Sequence, residues 1–205
     1  FNYVPDARSP LAGLVNVKGA LYGTTVQGGK YGLGAVFRIS ASGAETVVYS
    51  FSGGPDGSYP HARLIDANGT LYGTTYYGGS GCGGAGCGTV YSVTTDGHET
   101  VLYTFRGGSD GSYPVAGLVF LNGTLYGTTA WGGNSNCKGY GCGTVYSVSA
   151  SGVEQVLHRF SGGRDGAAPE ADLVAVNGTL YGTTSGAGRR RGHSVGPGTA
   201  FALRP

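Results

Sequence analysis

The octapeptide Asn-Gly-Thr-Leu-Tyr-Gly-Thr-Thr occupies residues 68–75, 122–129 and 177–184, and a looser copy, Lys-Gly-Ala-Leu-Tyr-Gly-Thr-Thr, occupies 18–25. Its leucines, Leu21, Leu71, Leu125 and Leu180, are 50, 54 and 55 residues apart. A chain built this way must stack one supersecondary unit on the next. A period near 50, rich in β-branched and aromatic residues, points to propeller blades or solenoid turns rather than helix pairs.

The third unit reads most clearly. Residues 115–121 alternate into an Asn122-Gly123 turn, and residues 124–129 form the returning arm of a hairpin. A glycine-rich loop over 130–142 leads to Gly-Thr-Val-Tyr-Ser-Val-Ser, a turn at Ser151-Gly152 and a second β-rich arm ending at Phe160. Gly, Asp and Pro in residues 161–169 then redirect the chain. No segment has a 3.6-residue apolar period. These patterns predict an all-β, β-propeller-like fold of four repeats, each a four-stranded antiparallel blade. Residues 1–205 read as a single repeat domain with units at approximately 1–51, 52–105, 106–160 and 161–205. Phe1 aligns with Phe51, Phe105 and Phe160, and the last unit stops after its third strand, so the last blade lacks its outer strand. An unpaired strand edge invites pairing.

Composition bounds the function classes. The 43 glycines follow no three-residue period, and a hydrophobic fraction of 40% suffices for a packed interior. A net charge of +2 gives no reason to expect nucleic acid as a partner. No apolar run approaches the roughly 18 residues of a membrane-spanning helix. The chain begins at Phe1 without an initiator methionine or signal peptide, the expectation for a processed product or an excised fragment.

The recurring Leu-Tyr-Gly-Thr-Thr followed by Gly-Gly, the Gly-Thr-Val-Tyr-Ser-Val strand, and the Glu-Thr-Val-Leu-Tyr segment leading to Gly-Gly and Asp-Gly resemble the bacterial choice-of-anchor tandem-repeat proteins called GloVer-containing. The resemblance spans nearly the whole chain. It implies propeller-like β repeats of about 50 residues in a secreted or surface-exposed protein, and it brings no catalytic residues with it.

Cys82 and Cys87, and Cys137 and Cys142, form two local pairs in the loop after the second strand. They predict two short disulfides and an oxidising compartment; a zinc tetrathiolate shared by two blades is the competing use, and the five-residue spacing disfavours it. Asp56, Asp110 and Asp165, with Asp6 in the degenerate copy, recur in one turn and read as turn-forming carboxylates rather than calcium ligands. Glu45, Glu99 and Glu154 recur at the start of the fourth strand and read as solvated. The four histidines share no motif position, and no nucleophile elbow, zinc-protease helix or paired-carboxylate segment is present, which points away from an enzyme. No metal or other cofactor is predicted.

The copies diverge directly after Gly-Thr-Thr: Val26-Gln27, Tyr76-Tyr77, Ala130-Trp131 and Ser185-Gly186. Tyr76, Tyr77 and Trp131, with Asn134, Asn136 and Tyr140 nearby, have the chemistry of a sugar-binding face, rings for stacking and amides for hydroxyls. Their alternative use is to cover a neighbouring blade. In the fourth unit Arg189, Arg190, Arg191 and His193 replace the cysteine loop, and a flexible loop of that charge suits carboxylate, sulfate or phosphate groups on a polymer, or simply solvent. Asn68, Asn122 and Asn177 also begin Asn-Gly-Thr sequons, which the hairpin turn alone explains. The leading expectation is an extracellular or cell-surface, non-enzymatic propeller that binds a glycan or an extracellular protein through its inter-strand loops. Two others stand beside it: a structural subunit that joins copies of itself by strand completion, and a polysaccharide hydrolase or lyase.

Overall fold

The computed structural model describes residues 6–134, 137, 139–186, 188–190 and 193–205, the last unit's hairpin at 188–190 and 193–195 by its backbone. Phe1, Asn136 and Arg191 lie outside the described residues. The described residues fall into two compact units, Phe1–Thr104 and Phe105–Pro205.

The first unit contains β1 (Ala7–Arg8), β2 (Val15–Val17), β3 (Ala20–Thr25), β4 (Gln27–Gly28), β5 (Ala35–Ile39), β6 (Glu45–Ser50), β7 (Ile65–Ala67), β8 (Thr70–Thr75), β9 (Thr89–Thr94) and β10 (Glu99–Thr104). They make two four-stranded antiparallel sheets, β2-β3-β5-β6 and β7-β8-β9-β10, and β1 pairs with β4. The second unit contains β11 (Val119–Leu121), β12 (Thr124–Thr129), β13 (Thr144–Ser149), β14 (Glu154–Arg159), β15 (Val174–Val176), β16 (Thr179–Thr183), β17 (Gly188–Arg190), β18 (His193–Val195) and β19 (Ala200–Leu203). Here β11 to β14 form a third four-stranded sheet, while β15-β16-β19 has three strands. The repeat pattern and the short last blade expected from the sequence are therefore both present.

The octapeptide shows how a blade is made. Its Asn-Gly pair closes a two-residue hairpin with both φ angles positive, 58° and 84° at Asn68-Gly69 and 51° and 82° at Asn122-Gly123. That is the type I′ turn, whose twist matches the flanking strands. The leucine and tyrosine then face opposite sides of the sheet. Leu71, with Leu64, Tyr91 and Val93, packs against Val17, Tyr22, Val36 and Phe51. The tyrosine face of the first sheet is thus buried on the leucine face of the second. The second unit repeats this, with Val119 and Tyr126 against Leu173, Leu180 and Phe160.

Glycine follows the tyrosine because an aromatic ring lies over it. Gly73 pairs with Tyr91 and Gly127 with Tyr146. A Cβ at Gly73 would sit 2.5 Å from the Tyr91 hydroxyl oxygen. A second ring backs each aromatic edge-on: Phe51 on Tyr91 at 5.0 Å, Phe105 on Tyr146 at 4.9 Å and Phe160 on Phe201 at 5.0 Å.

The two threonines do different work. Thr24 donates to Ala62 O at 2.9 Å and Thr128 to Pro169 O at 3.1 Å, each tying its blade to the segment that enters the next. Thr75 and Thr129 share hydroxyl hydrogen bonds with Thr89 at 2.8 Å and Thr144 at 2.7 Å. In the first blade Ala35 replaces that partner, and Thr25 Oγ1 is buried without one.

The cysteines form two disulfides, Cys82–Cys87 and Cys137–Cys142, with Cα separations of 5.3 and 5.4 Å. These bonds exclude the tetrathiolate alternative. In the arginine-rich segment, expected as a flexible loop, the backbone of β17 and β18 pairs as a hairpin in the register Arg189↔Ser194 and Arg190↔His193.

Candidate functional site

The segment where the copies diverge is held by the same three devices in blades two and three. The first is a backbone bridge. Ser58 N donates to Tyr77 O at 2.9 Å and Tyr77 N to Ser58 O at 3.2 Å; Ser112 and Trp131 make the same exchange. The second is the threonine pair, since Thr75 also donates to Tyr77 O and Thr129 to Trp131 O, each at 2.9 Å. The third is the disulfide loop, which lays Gly86 beside Gly78 and Gly141 beside Gly132 as parallel bridges. A Cβ at Gly86 would stand 2.1 Å from Gly78 O, so glycine is required for that approach.

On this frame each unit presents an aromatic cluster. In the first unit, Tyr76 and Tyr77 are 4.5 Å apart between ring centroids, Tyr59 approaches Tyr77 at 6.1 Å, and His61 lies 5.3 Å from Tyr76. In the second, Trp131 lies between Tyr113 at 5.4 Å and Tyr140 at 5.1 Å. Tyr140 is 55% exposed, while Tyr59, Tyr76, Tyr77, Tyr113 and Trp131 are half-buried. Burial lowers the His61 imidazole below its ordinary value, so it is a neutral ring among rings near pH 7. The Asn134 amide donates to Phe160 O at 2.6 Å and so anchors the loop.

Tyr59, His61 and Tyr113 did not figure in the expected site. Tyr59 and Tyr113 come from the Ser-Tyr-Pro turns at 58–60 and 112–114, with φ of 54° and 59°, and His61 directly follows the first of these turns. Ser9 and Ala168 occupy the same pre-proline position with φ of 62° and 56°. The left-handed conformation therefore belongs to the repeat scaffold, and the ring is added to it. Blades one and four lack the cluster, having Ser9 with Gln27 and Ala168 with Gly186. In blade one Arg8 donates to Gln27 Oε1 at 2.9 Å instead.

The carboxylates behave differently from one another. Asp56 is a turn residue as expected: it accepts Ser52 N at 2.8 Å, Ser52 Oγ at 2.7 Å and the Tyr49 hydroxyl at 2.9 Å. Asp165 accepts Ser161 N at 2.7 Å and faces His158 Nε2 at 3.0 Å, with histidine standing where the other units have Tyr49 and Tyr103. The glutamates correct the expectation of a solvated role. Oε1 of Glu45, Glu99 and Glu154 is shielded from solvent in each case. Burial, then the charge of Asp56, raises the Glu99 carboxyl from 4.5 to about 7, offset in part by the Tyr49 hydroxyl. Glu45 is raised for the same reasons, with Asp6 in the place of Asp56. A carboxyl poised near 7 has the chemistry of a general acid. Its partner Asp56, however, is saturated by turn hydrogen bonds, and the arrangement recurs at Glu45, the mark of a scaffold element. Among the described residues no group of three or more His, Cys, Asp and Glu side chains converges to hold a metal ion.

Repeated antiparallel blades, leucine faces stacked on tyrosine faces and loops pinned by short disulfides define a propeller-like tandem-repeat β protein. The chain belongs to the Gloeobacter/Verrucomicrobia repeat family, which it matches over residues 1–201, in agreement with the motif resemblance. Among solved structures it is similar to streptogramin B lyase, with a TM-score of 0.51 and 15% identity over 82% of this chain and 46% of that one. It is also similar to luciferin-regenerating enzyme, with a TM-score of 0.54 and 12% identity over 96% of this chain and 59% of that one. The chain thus spans about half the length of these two proteins, and at such identity the likeness concerns the fold alone. No curated protein matches the chain. Among the described residues no helix is long and apolar enough to cross a membrane.

Proposed function

We propose that this chain is a non-enzymatic, extracellular or cell-surface propeller that binds a glycan through the aromatic clusters of blades two and three. One observation carries the reading: two blades build a cluster of rings on the same bridge, threonine pair and disulfide loop, and the other two blades keep the bridge position but omit the rings. Partly exposed rings set on a rigid frame suit stacking against the apolar face of a pyranose. Tyr76 and Tyr77 serve in one site and Trp131 and Tyr140 in the other, with Asn134 as a positioning residue. Arg189, Arg190, Arg191 and His193 extend the reading to acidic groups on the polymer. Two disulfides support an oxidising, extracellular setting.

A glycan array probed with the wild type, Trp131→Ala and Tyr77→Ala tests this. Truncating a central aromatic is expected to weaken retention about tenfold or more on a shared set of glycans. A wild type that binds no glycan, or two variants that bind like the wild type, would sink the proposal.

A further inference from the structure

The disulfide loops of blades two and three are built alike, and only one of them carries a ring. Gly78 N donates to Ala85 O at 2.8 Å and Gly132 N to Tyr140 O at 2.9 Å, so Ala85 and Tyr140 are equivalent positions. Gly88 N and Gly143 N return to the carbonyls of the same two glycines, Gly78 and Gly132, each at 3.0 Å. In blade two the clustered rings of Tyr59, His61, Tyr76 and Tyr77 all lie outside the span from Cys82 to Cys87. In blade three Tyr140 lies inside the span from Cys137 to Cys142 and reaches Trp131, 5.1 Å away between ring centroids.

What anchors this loop differs from blade to blade. Blade one closes the same parallel bridge, Gly28 with Leu33, and has no disulfide. There the Leu33 side chain packs over Gly53, where an added Cβ would meet Leu33 Cδ1 at 2.5 Å. In blades two and three the bridge residue is glycine, Gly86 or Gly141, with no side chain to pack. The next residue is a fully buried cysteine, Cys87 or Cys142, and its disulfide takes over the anchoring role of the leucine. Cys142 belongs to the core cluster with Val145, Phe160 and Leu173, and Cys137 packs against that cluster. The loop between them has φ of 53° at Cys137, 86° at Gly139 and 76° at Gly141, and its glycines have many other conformations open to them once its ends are released.

We infer that the Cys137–Cys142 disulfide is a positioning element of the blade-three site: closed, it holds Tyr140 against Trp131, and opened by a dithiol, it lets that ring leave. The identity of the ligand rests on the glycan reading above; the ring contact does not. The opening step is thiol–disulfide exchange. A thiolate of the dithiol attacks Sγ of Cys137, the less buried residue of the pair, and Cys142 leaves as a thiolate and takes up a proton. The second thiol of the reductant gives up its proton and displaces the Cys137 thiol from the mixed disulfide. The protein gains two thiols, and the reductant becomes a cyclic disulfide. Blade two has no ring on its loop to lose.

Trp131 is the sole tryptophan, so its fluorescence tests the inference without a ligand. In a Cys82→Ala/Cys87→Ala background, dithiothreitol has one bond to open. Opening it should shift the emission to the red and raise acrylamide quenching, with far-UV circular dichroism unchanged. The wild type, reduced at both bonds, gives the same reading. Tyr140→Ala should show the shifted emission without reductant, and reductant should then add nothing. That non-additivity is the discriminating arm, because a bond acting on the whole blade would shift the Tyr140→Ala variant again. Emission that stays unchanged after both thiols are titrated overturns the inference. So does a second shift in Tyr140→Ala, or a loss of circular dichroism on reduction, which would show that the bond holds the blade rather than the ring. In a Tyr77→Ala background, which leaves blade three to bind alone, reduction should lower glycan retention about fivefold or more. A blank array for the unreduced wild type defeats the glycan reading, and the fluorescence still decides what positions Tyr140.

Discussion

Replacing Glu99 by glutamine tests whether the recurrent glutamates are buried acids. Glu99 opens β10, and its carboxyl is raised from 4.5 to about 7, first by burial and then by the charge of Asp56. A raised carboxyl holds its proton more tightly in the folded chain than in the unfolded one. Its contribution to stability is therefore full below about pH 4.5, declines as pH rises, and is lost above about pH 7. The whole displacement would correspond to about 3 kcal/mol. Because Glu99 is only half-buried, solvent screening reduces this to ~1–2 kcal/mol. Glutamine keeps the shape and removes the charge. The variant should match the wild type near pH 4.5 and exceed it by ~1–2 kcal/mol at about pH 8. Glu45 is raised as well, so the wild-type curve mixes two groups, and the difference between wild type and variant isolates Glu99. Urea unfolding across this range measures the difference, provided that the signal comes from the unit containing Glu99, such as hydrogen exchange in β8 to β10. A carbon-13 titration of the Glu99 carboxyl reads the acid directly. A difference that does not vary with pH, or a carboxyl that titrates near 4.3 like a free glutamate, would refute the reasoning.

Four further outcomes follow from the interior. Gly73→Ala places a methyl group 2.5 Å from the Tyr91 hydroxyl oxygen and is expected to cost about 1–3 kcal/mol in urea unfolding. Tyr91→Phe should cost nothing or stabilise, because that hydroxyl is buried without a partner and blades one and four already have Phe37 and Phe201 there. Thr129→Val removes a donor to Trp131 O and leaves the Thr144 hydroxyl short of its partner, with an expected loss of about 1–3 kcal/mol. Thr25→Val should be neutral or stabilising, since Thr25 Oγ1 is already buried without a partner. Equal losses at the two threonines would remove the hydroxyl pair from the account of loop anchoring.

The two kinds of residue that the sequence left obscure differ in why they were obscure. Hairpin turns, strand alternation and the cysteine pairs act between near neighbours along the chain, so period and spacing make them legible; Asn122-Gly123 and Cys137 with Cys142 are examples. The raised Glu99 carboxyl depends on its burial, on Asp56 far earlier in the same repeat and on Tyr49 of the preceding one, and no local pattern reports it. The aromatic clusters are an intermediate case. Tyr59 lies 18 residues before Tyr77, and Tyr113 lies 18 before Trp131, too far apart for strand or turn rules to join them. The four copies nevertheless hold the signal, because they vary together. Where the pre-proline residue is Tyr59 or Tyr113, the residue at the bridge is Tyr77 or Trp131; where it is Ser9 or Ala168, the bridge has Gln27 or Gly186. A common scaffold explains the bridge in all the units, but it does not require rings to be gained or lost at both positions at once. Direct contact between those positions explains the pairing, and the ring separations of 6.1 and 5.4 Å provide that contact. Within a tandem repeat, the positions that change together therefore identify side chains that touch, while the unchanged octapeptide identifies the frame that presents them.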